Sequence, residues 1–328
     1  HGFPVGLIQC ENNLLGIPRI GSGSFRHFVD KYARAKQYCE TPFETRYDGR
    51  RKELVFVTGE RIEAELVEAF PSIDTRQAFL LPASATEVPL PPSSLDGVFT
   101  DPPYFDNVQY AELIDFCFVW LRLGLQDEFR EFQRPTTRTA SELTGNVTLG
   151  RGLEDFTAGL SEVFRHYAAA LKPGAPFVFT YHHNNPAAYI PLVVAILDAG
   201  LDCSATLPAP AEMNASLHIA GTNSSILDSV FVCRARISKR ATDNIEEAVL
   251  SDIKAMRAAG LRVGEGDVRC LAAGHLARIA VNRLYDAWNV ESPLKVRMRL
   301  VEDCLAQLAG DYPLTRLASR VLETATNA

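Results

Sequence analysis

Short apolar runs and longer amphipathic stretches alternate along the chain from residue 51 to residue 236. The short runs predict strands, and the stretches with apolar residues three and four positions apart predict helices. The predicted strands are 54–57, 77–81, 95–100, 176–181, 201–207 and 229–234. The predicted helices are 26–39, 60–70, 110–123, 153–171 and 187–199.

This order of elements predicts the fold class. Strands that alternate with helices are typical of an α/β fold with a parallel, doubly wound sheet. The last two strands follow each other without a helix, so we expect them to form an antiparallel hairpin at the edge of the sheet.

Changes in the pattern divide the chain into three predicted parts. Residues 1–50 combine a glycine-rich loop with one helix, and residues 51–236 form the α/β domain, interrupted by an irregular insertion at 124–152. Beyond residue 237 the strand pattern stops, and helical periodicity at 242–259, 267–288 and 293–308 predicts an all-α C-terminal domain covering 237–328.

Composition narrows the class of protein. The 328 residues are 47% hydrophobic, enough for a large core, and the longest apolar runs, such as 191–197, are too short to cross a membrane. Seven cysteines without a C-x-x-C pair indicate reduced thiols in a cytoplasmic protein and no zinc ribbon or other metal site in these residues. The net charge of −7 argues against tight non-specific binding to nucleic acid, although a basic cleft remains compatible with it.

Asp101-Pro102-Pro103-Tyr104, directly after the predicted strand 95–100, is the strongest candidate for chemistry. Methylating an exocyclic amino group requires acceptors that hold both of its hydrogens and aim its nitrogen at the methyl donor. The Asp101 carboxylate and a carbonyl directed by a proline of fixed φ supply such acceptors, and Tyr104 offers a ring that stacks on a flipped base. The alternative is a turn, since Asp-Pro-Pro also favours turns.

Other residues are candidates for the pocket around this motif. Phe105 and Asn107 follow it directly and serve either as base contacts or as packing and capping residues. His182 ends the next strand, and carboxyl ends of parallel strands share one edge of a sheet. Because neighbours on a strand point to opposite faces, His182 and His183 do not predict a metal site.

Two further groups of residues carry weaker expectations. Phe116, Phe118 and Trp120 lie on the predicted helix 110–123, and we expect core packing there rather than a stacking platform. The insertion carries Arg130, Arg134, Arg138 and Arg151, which suit phosphate contacts, but nearby acidic residues balance their charge, so contact with DNA stays one alternative.

The segment from Phe99 through Leu113, together with residues 116–120, 145–148 and 179–183, resembles the adenine-specific DNA methylases that contain a zinc ribbon. The resemblance covers about residues 16–235. It implies a Rossmann-like class I methyltransferase sheet, with Asp101 to Tyr104 as the catalytic motif and S-adenosyl-L-methionine as the cofactor. The implied substrate is duplex DNA with a flipped adenine, methylated at N6. The implied donor contacts are Ser84 at the adenine ring, Asp101, and Glu60 at the ribose, where Glu60 also suits a helix start.

Two features of that family have no counterpart in this sequence. No strand followed by a glycine-rich donor-binding turn is found, and the zinc-ribbon cysteines are absent. The chain also begins at His1 rather than Met. We therefore expect the C-terminal part of a longer or split enzyme, with a second chain or a preceding segment supplying the donor-binding loop. The alternatives are an N4-cytosine methyltransferase and a non-catalytic DNA-binding subunit without the donor site.

Overall fold

The computed structural model describes residues 25–48, 51–59, 63–68, 76–105, 109–146, 149–183, 185–211, 225–236 and 244–327. The chain divides into two compact units, His1–Leu80 and Leu81–Ala328. The predicted boundaries at residues 50 and 237 do not coincide with this division. Each unit is described by itself.

In its described residues, the first unit contains one helix and two small sheets. Helix α1 spans Phe25–Glu40, where the sequence predicts a helix. Strands β1, Phe43–Asp48, and β2, Arg51–Phe56, form an antiparallel hairpin. The alternating charged residues of β1 do not form an apolar run, so the hydrophobic pattern does not predict this strand.

The helix predicted at 60–70 is wrong where the structure describes it. Glu65–Leu66 forms strand β3, which pairs in parallel with β4, Gln77–Ala78. The Glu65 N–H donates to the Arg76 carbonyl at 2.7 Å, and the Val67 N–H donates to the Ala78 carbonyl at 2.9 Å. The backbone groups of this segment thus form hydrogen bonds with another segment of the chain instead of those of the helix that the local periodicity predicted.

The second unit is built on a mixed four-stranded sheet, which confirms the prediction of an α/β fold. Its strands are β5, β6, β7 and β8, spanning Val98–Thr100, Phe177–Tyr181, Leu201–Pro210 and Leu227–Ala235. The order is β5-β6-β8-β7. Strands β5 and β6 are parallel, whereas β8 is antiparallel to both β6 and β7, so the last two strands form the predicted antiparallel pair.

Seven α-helices of this unit lie in the described part of the chain; the first six have bounds close to the sequence expectations, and no prediction was made for the last. They are α2 Tyr110–Leu125, α3 Leu153–Ala170, α4 Ile190–Asp198, α5 Ile245–Ala258, α6 Glu265–Leu284, α7 Leu294–Asp311 and α8 Leu314–Asn327. Helix α3 ends before Lys172-Pro173-Gly174, where Gly174 adopts a φ of 80° that glycine tolerates best. None of the described helices combines the length and apolar character needed to cross a membrane.

One face of the sheet carries the core. Phe179 of β6 stacks on Phe231 of β8 with ring centroids 5.0 Å apart. Phe164 of α3 contacts Phe179 at 5.2 Å, which places α3 on this face. Helix α6 covers the same face, and it comes so close that a Cβ at Gly274 would lie 2.4 Å from Ser229 Oγ.

The C-terminal helices belong to this core. Val249, Ile253, Val301 and Leu308 are fully buried in the same cluster as the sheet residues. Asp198, at the end of α4, accepts a hydrogen bond from Trp288 Nε1 at 3.0 Å and pairs with the guanidinium of Arg297 on α7. The helical region is thus joined to the α/β core by both apolar packing and a buried ion pair.

The opposite face of the sheet is less covered. Val178, Val230 and Val232 are only half-buried, and Phe99 of β5 is 76% exposed. Strands of a parallel pair are ordinarily covered on both faces. Within residues 81–328, helices α3 and α6 lie on the Phe179 face, which leaves the face of Val178 comparatively open.

Candidate active site

Three chain segments meet at the end of the sheet where the carboxyl ends of β5 and β6 lie. Asp101 follows β5, and Thr180 to His183 end or follow the parallel strand β6. Asp228 lies at the beginning of β8, which runs in the opposite direction. The strand directions alone therefore bring an acidic residue after β5, a polar segment after β6 and a second carboxylate on β8 to the same place.

The Asp101 carboxylate is oriented by two hydroxyl groups. Its Oδ1 accepts a hydrogen bond from Tyr104 Oη at 3.0 Å and another from Thr180 Oγ1. Asp101 is exposed, and no described residue hydrogen-bonds its Oδ2. One oxygen is therefore held by the protein while the other faces outward as an acceptor for a ligand N–H.

Tyr104 is packed against the end of β6 rather than extended into solvent. Its ring meets those of Tyr181 and His182 edge to face, with centroids 5.1 and 5.2 Å away. Burial, reinforced by the negative charges of Asp228 and Asp101, raises the pKa of the Tyr104 hydroxyl far above its usual value. Tyr104 hence remains a neutral donor to Asp101 throughout the physiological pH range.

The two adjacent histidines bond different partners. His182 Nδ1 pairs with the carboxylate of Asp228. His183 Nδ1 accepts the N–H of Asn185 at 2.9 Å, so its Nε2 carries the proton and donates to the Phe105 carbonyl at 3.0 Å. His183 therefore holds the backbone that follows the motif, while His182 is paired with a carboxylate.

Two adjoining cavities lie along α3. The first has a volume of about 340 Å³ and is mostly apolar; its wall includes Asp101, Pro102 and Pro103. The second has a volume of about 470 Å³ and contains Ser84, Thr86, Glu142 and Arg151 in its wall. Both cavities share Ala85, Leu143 and Val163 and fall in the size range of small-molecule sites.

The other predicted site residues are distributed around these cavities. Ser84 lies in a turn, with its hydroxyl 3.0 Å from that of Thr86, and lines the larger cavity. Phe105 packs edge to face against Phe156 of α3 at 5.4 Å. Glu60 and Asn107 lie outside the described residues. The structure thus brings Asp101, Tyr104 and His182 into one network and places Ser84 in the adjoining cavity.

The insertion at 124–152 folds back onto α2. Gln109 Nε2 donates to the Gly145 carbonyl at 2.7 Å, and Asn146 Nδ2 donates to Gln109 Oε1 at 2.8 Å. Two of its four arginines have partners within the protein. Arg138 pairs with Asp115 at 3.2 Å, and Arg151 donates to the Glu142 carbonyl at 3.0 Å. For the other two arginines, Arg130 and Arg134, contact with DNA stays a prediction.

Asp115 of α2 anchors this insertion, and its replacement is expected to release it. Hydrogen bonds from the Thr136 hydroxyl and then the Thr137 hydroxyl and amide lower the pKa of the Asp115 carboxyl to about 2. Since the pKa in the folded state lies below the ordinary value of 3.8, this anchoring is complete above about pH 4 and is lost as the pH falls towards 2. In Asp115→Asn, we expect the Thr137 amide to exchange with deuterium several-fold faster at neutral pH.

Glu112→Gln is the matched control for this prediction, because Glu112 is an exposed carboxylate on the same helix. Exchange at Thr137 should be unchanged in that variant. Equal exchange in Asp115→Asn and the parent protein would contradict the anchoring role.

The expectation of core packing for the aromatic residues of α2 is correct for only one of them. Phe118 is buried and stacks on Phe132 at 5.3 Å, whereas Phe116 is 45% and Trp120 is 68% exposed. Other exposed apolar residues of this helix are Leu113, Ile114, Val119, Leu121 and Leu123. Helical spacing shows which residues share a face, but whether another element covers that face depends on tertiary structure.

Two residues of the network are not predicted from the sequence. Thr180 lies within the segment 179–183 that carries the resemblance, but no role was predicted for it, and only the pairing of β5 with β6 brings its hydroxyl to Asp101. Asp228 is an isolated acid at the start of an apolar strand, a weak signal for a site. Comparisons with protein-family models, with curated proteins and with solved structures find no match to this chain.

Proposed function

We propose that this chain carries the catalytic motif of an S-adenosyl-L-methionine-dependent DNA methyltransferase that acts on N6 of a flipped adenine. The observation that carries the proposal is the arrangement of Asp101 at the end of β5. Its Oδ1 is held by two hydroxyls, while its Oδ2 is available to accept an N–H of the substrate amino group. A carboxylate held in this way is a preorganised acceptor for an amino group that becomes positively charged on methylation.

The cavities support a division between donor and base. Asp101 lines the smaller cavity, whereas Tyr104, Phe105 and His182 are not among its lining residues. We propose that the donor occupies the two adjoining cavities, with Ser84 contacting its adenine ring. The base then lies on the Tyr104 and His182 side. In this arrangement Asp101 borders both the donor cavity and the base side, so its carboxylate can hold the amino nitrogen facing the methyl group.

The proposed sheet is the Rossmann-like methyltransferase sheet, completed by a second polypeptide segment. The Val98 N–H donates to Pro176 beside β6 at 2.9 Å. Strand alternation then directs the backbone N–H and C=O of Phe99 to the other edge of β5. The ring of Phe99 and several apolar residues of α2 are also exposed. These features favour the addition of a further strand beside β5. We propose that this strand carries the donor-binding loop.

Product analysis tests the proposal. Duplex DNA is incubated with the protein and labelled S-adenosyl-L-methionine, then digested to nucleosides that are separated by chromatography. We expect label in N6-methyl-2′-deoxyadenosine. Label in N4-methylcytosine alone would establish the cytosine alternative, which the geometry at Asp101 also allows because both bases present an exocyclic amino group.

The alternative from another class is a DNA-binding subunit without a donor site. In the described part of residues 81–328 no strand pairs with the outer edge of β5, and this observation favours a donor loop contributed by another chain. Calorimetric titration with S-adenosyl-L-methionine separates the two. Micromolar binding to this chain would rule out a donor site that lies wholly elsewhere.

A further inference from the structure

A histidine–aspartate pair lies beside the Asp101 motif. His182 directly follows β6, and its Nδ1 pairs with the carboxylate of Asp228 on β8. The side chain of Asp228 is 12% exposed and that of His182 is 26% exposed. The carboxylate favours the imidazole tautomer with the proton on Nδ1, which leaves Nε2 as an acceptor. No described residue hydrogen-bonds Nε2.

The pair faces the same region as the Asp101 carboxylate. Thr180 and His182 are two residues apart, so their side chains share one side of the chain at the end of β6. Thr180 donates to Asp101, and the His182 ring lies 5.2 Å from Tyr104, which also donates to Asp101. Two independent contacts therefore link the position of His182 to that of the amino-group acceptor.

Two carboxylates stand near the His182 imidazole. Asp228 faces it from β8, and Asp101 lies beyond Tyr104. Burial keeps the neighbouring acids neutral, because it raises the pKa of Tyr104 and raises the pKa of the Cys270 thiol on α6 to about 11. Tyr104 and Cys270 thus add no negative charge beside the imidazole, and the acidic side chains that face it are the carboxylates of Asp228 and Asp101.

We propose that His182, oriented by Asp228, accepts the proton that the amino nitrogen loses on methylation; this rests on the function proposed above. The amino nitrogen forms a bond to the methyl carbon as the bond from that carbon to sulfur breaks. The sulfonium becomes a neutral thioether, and the nitrogen carries the positive charge. One of its protons passes to Nε2 of His182 as this charge develops, so that proton transfer and methyl transfer share one transition state, and the proton later leaves to solvent. Asp228 is a positioning residue that stabilises the imidazolium.

The rate of a single turnover as a function of pH tests this assignment. In the parent protein, we expect the rate to fall on acidification as the imidazole becomes protonated. His182→Gln is expected to be about 10²-fold slower at pH 7 and to lose this acidic limb. The turnover of Asp228→Asn should be slowed less, about 10-fold, because this variant keeps the imidazole and loses only its orienting partner.

Asp252→Asn provides a matched control. Asp252 of α5 pairs with His275 of α6 at 2.8 Å, so the substitution disrupts the same kind of pair away from Asp101. Its turnover rate and pH profile should match those of the parent protein. A pH profile for His182→Gln identical to that of the parent protein would overturn the assignment while leaving the proposed function in place.

Nitrogen NMR supplies a readout that does not depend on turnover. The ¹⁵N signals of His182 should show the tautomer protonated at Nδ1 in the parent protein and in Asp252→Asn, but not in Asp228→Asn. Adding an adenine-containing oligonucleotide should shift the Nε2 signal. An Nε2 signal that does not respond to bound oligonucleotide would exclude a role at the base, whereas activity retained in Asp101→Ala would refute the methyltransferase itself.

Discussion

Replacing Asp101 with Ala is expected to reduce DNA methylation by roughly 10²- to 10³-fold, the effect of removing one preorganised polar contact to developing charge. The variant loses the carboxylate that holds the amino group, and it leaves the hydroxyls of Tyr104 and Thr180 without their shared acceptor. Because Asp101 is exposed, the circular dichroism spectrum and the unfolding midpoint should stay close to those of the parent protein. Transfer of labelled methyl groups to duplex DNA measures the loss.

Asp96→Ala is the matched control for Asp101. Asp96 precedes the same strand, and its exposed side chain pairs with Lys172 at 2.6 Å. Its removal should leave methylation unchanged, because an exposed ion pair contributes little to stability. If Asp101→Ala retained full activity, the assignment of the motif, and with it the proposed function, would have to be abandoned.

Replacing Asp198 with Ala is expected to lower the free energy of unfolding by about 3–5 kcal/mol, the range for breaking a buried ion pair by removing one partner. The Asp198 side chain is 1% exposed. It accepts hydrogen bonds from Ser161 at 2.5 Å and from Trp288 at 3.0 Å, and it pairs with Arg297. The variant therefore leaves a largely buried guanidinium and the indole N–H of the half-buried Trp288 without their acceptor.

Urea denaturation followed by tryptophan fluorescence measures this change, since Trp288 itself is one of the partners. The control is Asp303→Ala, which removes an exposed ion pair with Arg299 at 3.6 Å on the same helix α7. We expect that variant to lose less than about 1 kcal/mol. A similarly small loss in Asp198→Ala would show that apolar packing alone joins the C-terminal helices to the α/β core.

Contacts between distant residues limited what could be predicted of the candidate site. The position of Asp101 after a strand and that of His182 after the next strand follow from local apolar runs. The residues that orient them do not. Thr180 is 79 positions from Asp101, and Asp228 is 46 positions from His182. Only the parallel pairing of β5 with β6 and the antiparallel pairing of β6 with β8 bring these groups together.

The sequence by itself determined which segments between residues 95 and 311 are helices and strands and where the acidic motif lies. Apolar periodicity and breakers such as Pro173-Gly174 act over a few neighbouring residues and are visible without a fold. The tertiary structure decided the strand order, the short parallel pair of β3 and β4, and the exposure of Phe116 and Trp120. It also decided that Asp101 receives two hydroxyl donors, because hydrogen bonds across a sheet depend on which strands become neighbours.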